Sequence, residues 1–217
     1  ARIKLRFKQG RGDLAGILSE RLERMGNGPR EFTMFLRKLR VLQIDDRMAG
    51  RTHLIESGPD TKAGFWRVEC DGVPRLYYRG EYARAIPGDV VETRFRDLKE
   101  DLPRQIDLAV PVPGMDGFGG TDEGRLFCFL PTHVTTACPV RIQADAKTTT
   151  NRENIQNFGS SPWNKCLFDG FAANLIDFYR RLTLLEEFKH DLPACWPIGV
   201  SQRDVGNQDL KELLARV

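Results

Sequence analysis

From Val41 to about Phe95 the chain alternates. VLQI, HLIES, FWRVEC, RLYYRG and VVETRF carry apolar or aromatic residues at alternate positions, and Gly, Pro and Asp interrupt them at short intervals. A period of two predicts strands. Connections this short suit antiparallel neighbours, because a parallel pair needs a crossover of a dozen residues or more. The expectation is an antiparallel meander, and it constrains the fold class more than any other stretch of the sequence.

The flanks add helices and more strands. Ala1 to Lys8, ARIKLRFK, alternates basic residues with Ile3, Leu5 and Phe7 and reads as a strand with a basic outer face. Asp13 can cap a helix with Leu14, Ile17, Leu18, Leu22 and Met25 on one side, which GNGP stops. A second short helix from about Arg30 has Phe32, Phe35, Leu36 and Leu39 as its buried stripe, with Arg37, Lys38 and Arg40 as solvated neighbours. Beyond the meander, polar RDLKEDLP leads to a strong strand, IDLAVPVP, and then to a surface loop, GMDGFGGTDEG. GRLFCFLP and PVRIQADA follow as two strands joined by a threonine-rich turn. From Pro162 the period changes. Trp163, Leu167, Phe168, Phe171, Leu175, Phe178, Tyr179 and Leu182 recur on one side, which predicts one long amphipathic helix to about Phe188. DLPACWP breaks it, and Gln208 to Ala215 closes the chain as a short helix.

The fold class expected is α+β: a mixed or mainly antiparallel sheet covered by helices on one face, with a long C-terminal amphipathic helix. Residues 9–100, a helical hairpin plus the meander, and residues 101–217, the remaining sheet with its loop and long helix, are expected to pack as one domain. The chain opens directly in a strand pattern. The expectation is that residues 1–8 belong to, or link from, a preceding domain of a longer polypeptide.

Composition narrows the function classes. The chain has 217 residues, 41% hydrophobic and 29% charged, enough apolar content for a packed core. A net charge of +3 is too small a bias to argue nucleic-acid binding by itself. The five cysteines include no CxxC pair and read as reduced core thiols of a cytoplasmic-type protein. His53, His133 and His190 are scattered without metal-ligand spacing, so no metal site is expected. No apolar run reaches the length of a membrane span.

Most candidate motifs reduce to ordinary structure. DGFGG at Asp116 to Gly120 lacks a following GK[ST] and a helical pattern, so it reads as a connecting loop rather than a phosphate cradle. Asp45 and Asp46 form a carboxylate pair without a visible third partner and read as a solvated turn. ARIKLRFK lacks the aromatic interleaving of a single-strand binder.

KTTTNRENIQNF, Lys147 to Phe158, has two readings. In one it is a helix start, with Thr150 or Asn151 as N-cap, Glu153 in the first turn and Arg152 in solvent. In the other it is a loop held at a strand end. The threonines and Asn151 then hydrogen-bond the loop backbone and keep its shape. Arg152 and Lys147 offer charge to an anion, and a guanidinium presents a fork that matches a phosphate. Residue types alone leave both open.

The segments GRLFCFLP, PVRIQADAKTTTNRENI and PWNKCLFDGFAANLIDFYRRL, in this order, resemble the region downstream of the ATP-binding domain in sacsin-type proteins. These are relatives of heat-shock protein 90 in the GHKL ATPase superfamily. PREFTMFLRKLRVLQID is similar to the short helix and strand that open that region, and Ala1 to Lys8 to the last strand of the nucleotide domain. The resemblance runs from about Ala1 to Leu185.

The resemblance implies a middle, or transducer, domain. In heat-shock protein 90 a Ser-Arg-Glu segment of this domain sends its arginine to the γ-phosphate of ATP held by the neighbouring domain. NRENIQ matches it with Asn151 at the serine, Arg152 at the arginine, Glu153 at the glutamate and Gln156 at a later glutamine. In gyrase-type and mismatch-repair relatives a lysine has this role, which makes Lys147 the second candidate. Trp163 and Asn164 match the Trp-Asn helix start and are expected to anchor it behind the loop. Nothing matches the family's nucleotide-binding boxes. ATP and Mg²⁺ are therefore expected in a separate N-terminal domain of the same polypeptide, with a protein client or partner downstream. Two alternatives stand beside this: a non-catalytic interaction module of the same ancestry, and the transducer part of a nucleic-acid-associated repair or defence ATPase.

Overall fold

The structure is a computed structural model. It describes residues 30–36, 38–46, 50–90, 104–114, 123–136, 138–196 and 205–217. The basic strand Ala1 to Lys8, the helix from Asp13, the strand VVETRF and the DGFGG loop lie outside the described residues.

Eight strands form one mixed sheet. The meander is present as β1 (Val41–Asp46), β2 (Arg51–Pro59), β3 (Phe65–Cys70) and β4 (Val73–Arg84), each antiparallel to the next. Asp71 and Gly72, both at positive φ, make the two-residue turn that pairs Cys70 with Val73, the hairpin geometry whose twist suits the flanking strands. The meander continues into β5 (Arg104–Pro111). Strands from before and after residue 100 thus belong to one sheet.

The second half is not sequential. β6 (Arg125–Cys128) and β7 (Leu130–Thr135) pair antiparallel, while β8 (Arg141–Ala144) inserts between β5 and β6 and runs parallel to β6. GRLFCFLP is therefore two strands, not one, and the threonine-rich stretch is strand rather than turn. The reversal sits at Phe129, with φ 64, whose N–H donates to Gln143 Oε1 at 2.8 Å. A left-handed phenylalanine carries no sequence signal, since glycine is the usual resident of that conformation.

Both sheet faces are covered, whereas helices on one face were expected. On one face Ile106, Leu108, Val110, Leu126, Ile142 and Ala144 meet the C-terminal helices. On the other, the four-residue helix α1 (Phe32–Phe35) packs Phe32, Met34 and Phe35 onto Ile55, Val68, Tyr77 and Phe127. Leu39, expected in the same stripe, is exposed. β5 is consequently buried on both sides.

The expected long helix is broken. α2 (Pro162–Phe168) ends at Asp169, and α3 (Phe171–Leu182) starts after Gly170 at φ 72. Arg84 of β4 reinforces the break by donating to the Cys166 carbonyl at 3.1 Å and pairing with Asp169. A 3₁₀ turn (Glu186–Phe188) and two short helices, α4 (Leu192–Cys195) and α5 (Gln208–Leu214), follow. The apolar stripe survives the break: every residue named for it from Trp163 to Leu182 is buried. Gly80 of β4 lets α3 approach, because a Cβ there would stand 2.8 Å from the Phe178 ring. Among the described residues no helix is long and apolar enough to cross a membrane.

Candidate functional site

β8 ends at Ala144, and the chain then forms a small hairpin rather than a helix start. Thr148 and Ile155 bridge antiparallel, Gln156 N–H donates to the Lys147 carbonyl, and Thr149 N–H to the Asn154 carbonyl. Arg152 N–H donates to the Thr149 carbonyl at 2.9 Å and closes the tip. The N-cap role expected of Thr150 or Asn151 belongs to Ser161, whose Oγ accepts from Asn164 N–H ahead of Pro162 in the first turn of α2.

The tip is held by its own side chains. Thr149 Oγ1 donates to Asn151 Oδ1 at 2.7 Å and accepts from Asn154 N–H. Asn151 Nδ2 donates to Glu153 Oε2, and Asn151 Oδ1 also accepts from Glu153 N–H. Thr150 is exposed and makes no side-chain hydrogen bond to a described residue. Arg152 sits at φ 60, exposed. A non-glycine residue rarely adopts that conformation, and the surrounding network over-determines it. The Glu153 carboxylate is engaged by Asn151, and the Arg152 guanidinium has no hydrogen-bond or ion-pair partner among the described residues.

The base of the hairpin is clamped. Asn164, fully buried, accepts from Lys147 N–H at 2.7 Å and donates to the carbonyls of Lys147 and Gln156. Gln156 Nε2 adds a bond to the Thr148 carbonyl. Trp163 is a buried strut whose indole N–H donates to the Asp145 carbonyl at 2.8 Å, with the Lys147 ammonium 5.5 Å from its ring centroid. The eight residues singled out in the sequence thus divide: Lys147, Gln156, Trp163 and Asn164 meet at the base, and Thr150, Asn151, Arg152 and Glu153 form the tip. Lys147 and Arg152 are at opposite ends of the hairpin and do not form one cationic pair.

Two further anchors fix the hairpin from outside. His133 N–H of β7 donates to the Glu153 carbonyl at 2.7 Å. From the C-terminal segment, Asn207 Nδ2 reaches Asn154 Oδ1 and the Ile155 carbonyl, Asn154 Nδ2 reaches the Gly206 carbonyl, and Asp209 accepts from Phe158 N–H. Thr149 holds the loop backbone as expected of the loop threonines, whereas Asn154, Asn207 and Asp209 carry no such signal in the sequence. An Asn ahead of the closing helix pattern signals a cap, but nothing local shows that it also holds a loop 50 residues upstream.

Nearby thiols are quiet. Burial pushes the Cys128 thiol up to about 12, against a backbone hydrogen bond from Ala146 that pulls the other way. Cys195 is likewise pushed up to about 12 by burial. All five cysteines are free. Thiols held protonated in this way are poor nucleophiles. Asp45 and Asp46 are adjacent on β1, so their side chains leave opposite faces of the sheet and cannot act as a dyad.

Compared with known protein families, curated proteins and solved structures, the chain matches none. Chemistry at the hairpin therefore has to be argued from its geometry. A rigid support presents one permanent cation without an internal counter-ion, an arrangement suited to a phosphate or carboxylate brought in from outside.

Proposed function

We propose that the chain is the transducer domain of a GHKL-type ATPase, of the sacsin and heat-shock protein 90 kind, and that Arg152 contacts the γ-phosphate of ATP bound in a preceding domain of the same polypeptide. The observation that carries this reading is Arg152 itself, exposed at the tip of a hairpin clamped by Asn164 and sharing no ion pair with the adjacent Glu153. An arginine whose only role is solvation needs no such support.

The chemistry follows from charge. Phosphoryl transfer spreads negative charge over the γ-oxygens, and an arginine delivered to them stabilises that charge without doing covalent work. The contact exists only while a triphosphate is bound, so it couples nucleotide state to domain docking. Docking would reach the sheet through Asn164 and α2, and from there a client or partner surface, in a cytoplasmic setting. Lys147, drawn over Trp163 at the hairpin base, serves the support rather than the phosphate.

The test is ATP turnover by the polypeptide that includes the nucleotide domain, with and without Arg152→Ala. Turnover is expected to fall roughly a thousandfold, a typical arginine-finger effect, while ATP affinity stays within about twofold. Equal turnover in the two proteins would sink the reading and leave an interaction module. A large loss of affinity would contradict a role confined to the transition state.

A further inference from the structure

The hairpin is held in part by residues 50 positions away. Asn207 has two tasks. Its Oδ1 accepts from Leu210 N–H at 3.0 Å and caps α5, while its Nδ2 donates to Asn154 Oδ1 at 3.0 Å and lies 3.4 Å from the Ile155 carbonyl. Asn154 replies with a 2.6 Å bond to the Gly206 carbonyl. Asp209, in the first turn of α5, accepts from Phe158 N–H at 2.6 Å. Asn207 is buried, and α5 is anchored in the main core by Leu210 and Leu214. Residues 205–210 therefore cross the C-terminal arm of the hairpin at three consecutive attachment points: Asn154, Ile155 and Phe158.

We infer that this C-terminal strap sets the position of Arg152, with Asn207 as the positioning residue, so that whatever engages or displaces residues 205–217 regulates the arginine without touching nucleotide. The inference rests on the proposed role of Arg152. Asn154 is two residues from Arg152 and inside its hydrogen-bonded turn: Asn154 carbonyl accepts from Thr149 N–H, and Thr149 in turn organises Asn151. The α2 clamp acts at the base of the hairpin. The strap and His133 act on the arm that carries the tip. An interaction that shifts the strap therefore acts on the charge at the tip through these hydrogen bonds.

Asn207→Asp separates the two tasks. The carboxylate keeps an acceptor for the α5 cap and removes the donor to Asn154 and Ile155. In the polypeptide that includes the nucleotide domain, the Thr149 and Arg152 amides should exchange with deuterium at least about tenfold faster, as expected for loss of one or two hydrogen bonds that close a local opening. The unfolding midpoint should fall only modestly, because the cap is kept while the new carboxylate faces the Asn154 and Ile155 oxygens. ATP turnover should fall toward the Arg152→Ala level with the KM for ATP unchanged. Asn154→Ala should reproduce both effects, and Asp209→Asn, which retains an acceptor for Phe158 N–H, should show them less than Asp209→Ala does. Unchanged exchange at Thr149 and Arg152 in Asn207→Asp would overturn the inference, as would faster exchange with undiminished turnover where Arg152→Ala is inactive. If Arg152→Ala itself turns over normally, the proposed function fails, and the exchange result alone still decides whether the strap positions the hairpin.

Discussion

Arg141 and Arg152 stand eleven positions apart on one strand and the hairpin that follows it, and the fold treats them in opposite ways. Arg141 is 1% exposed at the start of β8, paired with the residue that precedes α1. Its guanidinium pairs with Glu31 at 3.0 Å, donates to the Pro139 carbonyl and lies 5.7 Å from the Tyr77 ring centroid. Burial pushes the Tyr77 hydroxyl up to about 12, with the Glu31 charge adding to it and the Arg141 charge opposing. Arg152 has solvent on its guanidinium and a network beneath its backbone. A buried arginine has to be satisfied inside the fold to be tolerated, and once satisfied it has nothing left to offer a ligand. An exposed arginine on a rigid base keeps its full charge for an incoming anion. Arginine type is therefore uninformative about function here, and the number of partners it already has is what distinguishes the two.

Removing a partner should cost the two arginines very different amounts. Glu31→Ala leaves the Arg141 charge buried beside the sheet and should destabilise the chain by about 3–5 kcal/mol in urea unfolding. Arg152→Ala removes an exposed side chain and should stay within about 0.5 kcal/mol. Replacing the pair together, Glu31→Leu with Arg141→Met, should recover most of the loss, since an apolar pair needs no desolvated partner. If Glu31→Ala is as mild as Arg152→Ala, the pair is not a buried structural element and the contrast fails.

A smaller effect tests the face opposite α1. Gly80→Ala places a Cβ 2.8 Å from the Phe178 ring, which must shift with α3. Overpacking of this kind costs about 1–3 kcal/mol, again readable in urea. An unchanged midpoint would mean that α3 is loosely seated on β4.

The meander was legible because its alternation is local and its turns are short. Asp71-Gly72 announces a hairpin, and FWRVEC and RLYYRG pair as their pattern suggests. The apolar stripe after Pro162 was legible for the same reason. What was hidden depends on contacts distant in sequence. The break at Asp169 is held by Arg84 of β4, 85 residues earlier. The insertion of β8 between β5 and β6 is a choice among neighbours that strand patterns do not encode. At the hairpin, Asn164 was expected as an anchor behind the loop and clamps its base, while residue types left the loop itself open between a helix start and a held loop. Asn154 and Asn207 were not legible, because an asparagine that ties two loops looks the same in sequence as one that solvates a turn.

The smallest predicted effect contrasts a third charged contact with the buried pair. Asp71 lies at the β3–β4 turn, where Oδ2 is 2.9 Å from His53 Nδ1 and Oδ1 accepts from Leu54 N–H at 2.8 Å. The hydrogen bond from His53 holds its carboxyl below the ordinary value of 3.8, with burial opposing and the Leu54 bond assisting. A carboxyl whose value is depressed on folding stabilises the folded chain above its unfolded value, and that contribution is lost as the pH falls through the depressed folded value. Asp71→Asn should therefore lower the unfolding midpoint slightly at pH 5 to 7, with the gap from the parent chain closing below about pH 4. Asp71 is 39% exposed, so solvent screens the contact and added salt should shrink the gap further. The Glu31→Ala loss should be almost insensitive to salt, because its charge is out of reach of mobile ions. Equal salt responses at the two positions would mean that Arg141 is solvated, and the distinction between the buried arginine of β8 and the exposed one of the hairpin would not stand.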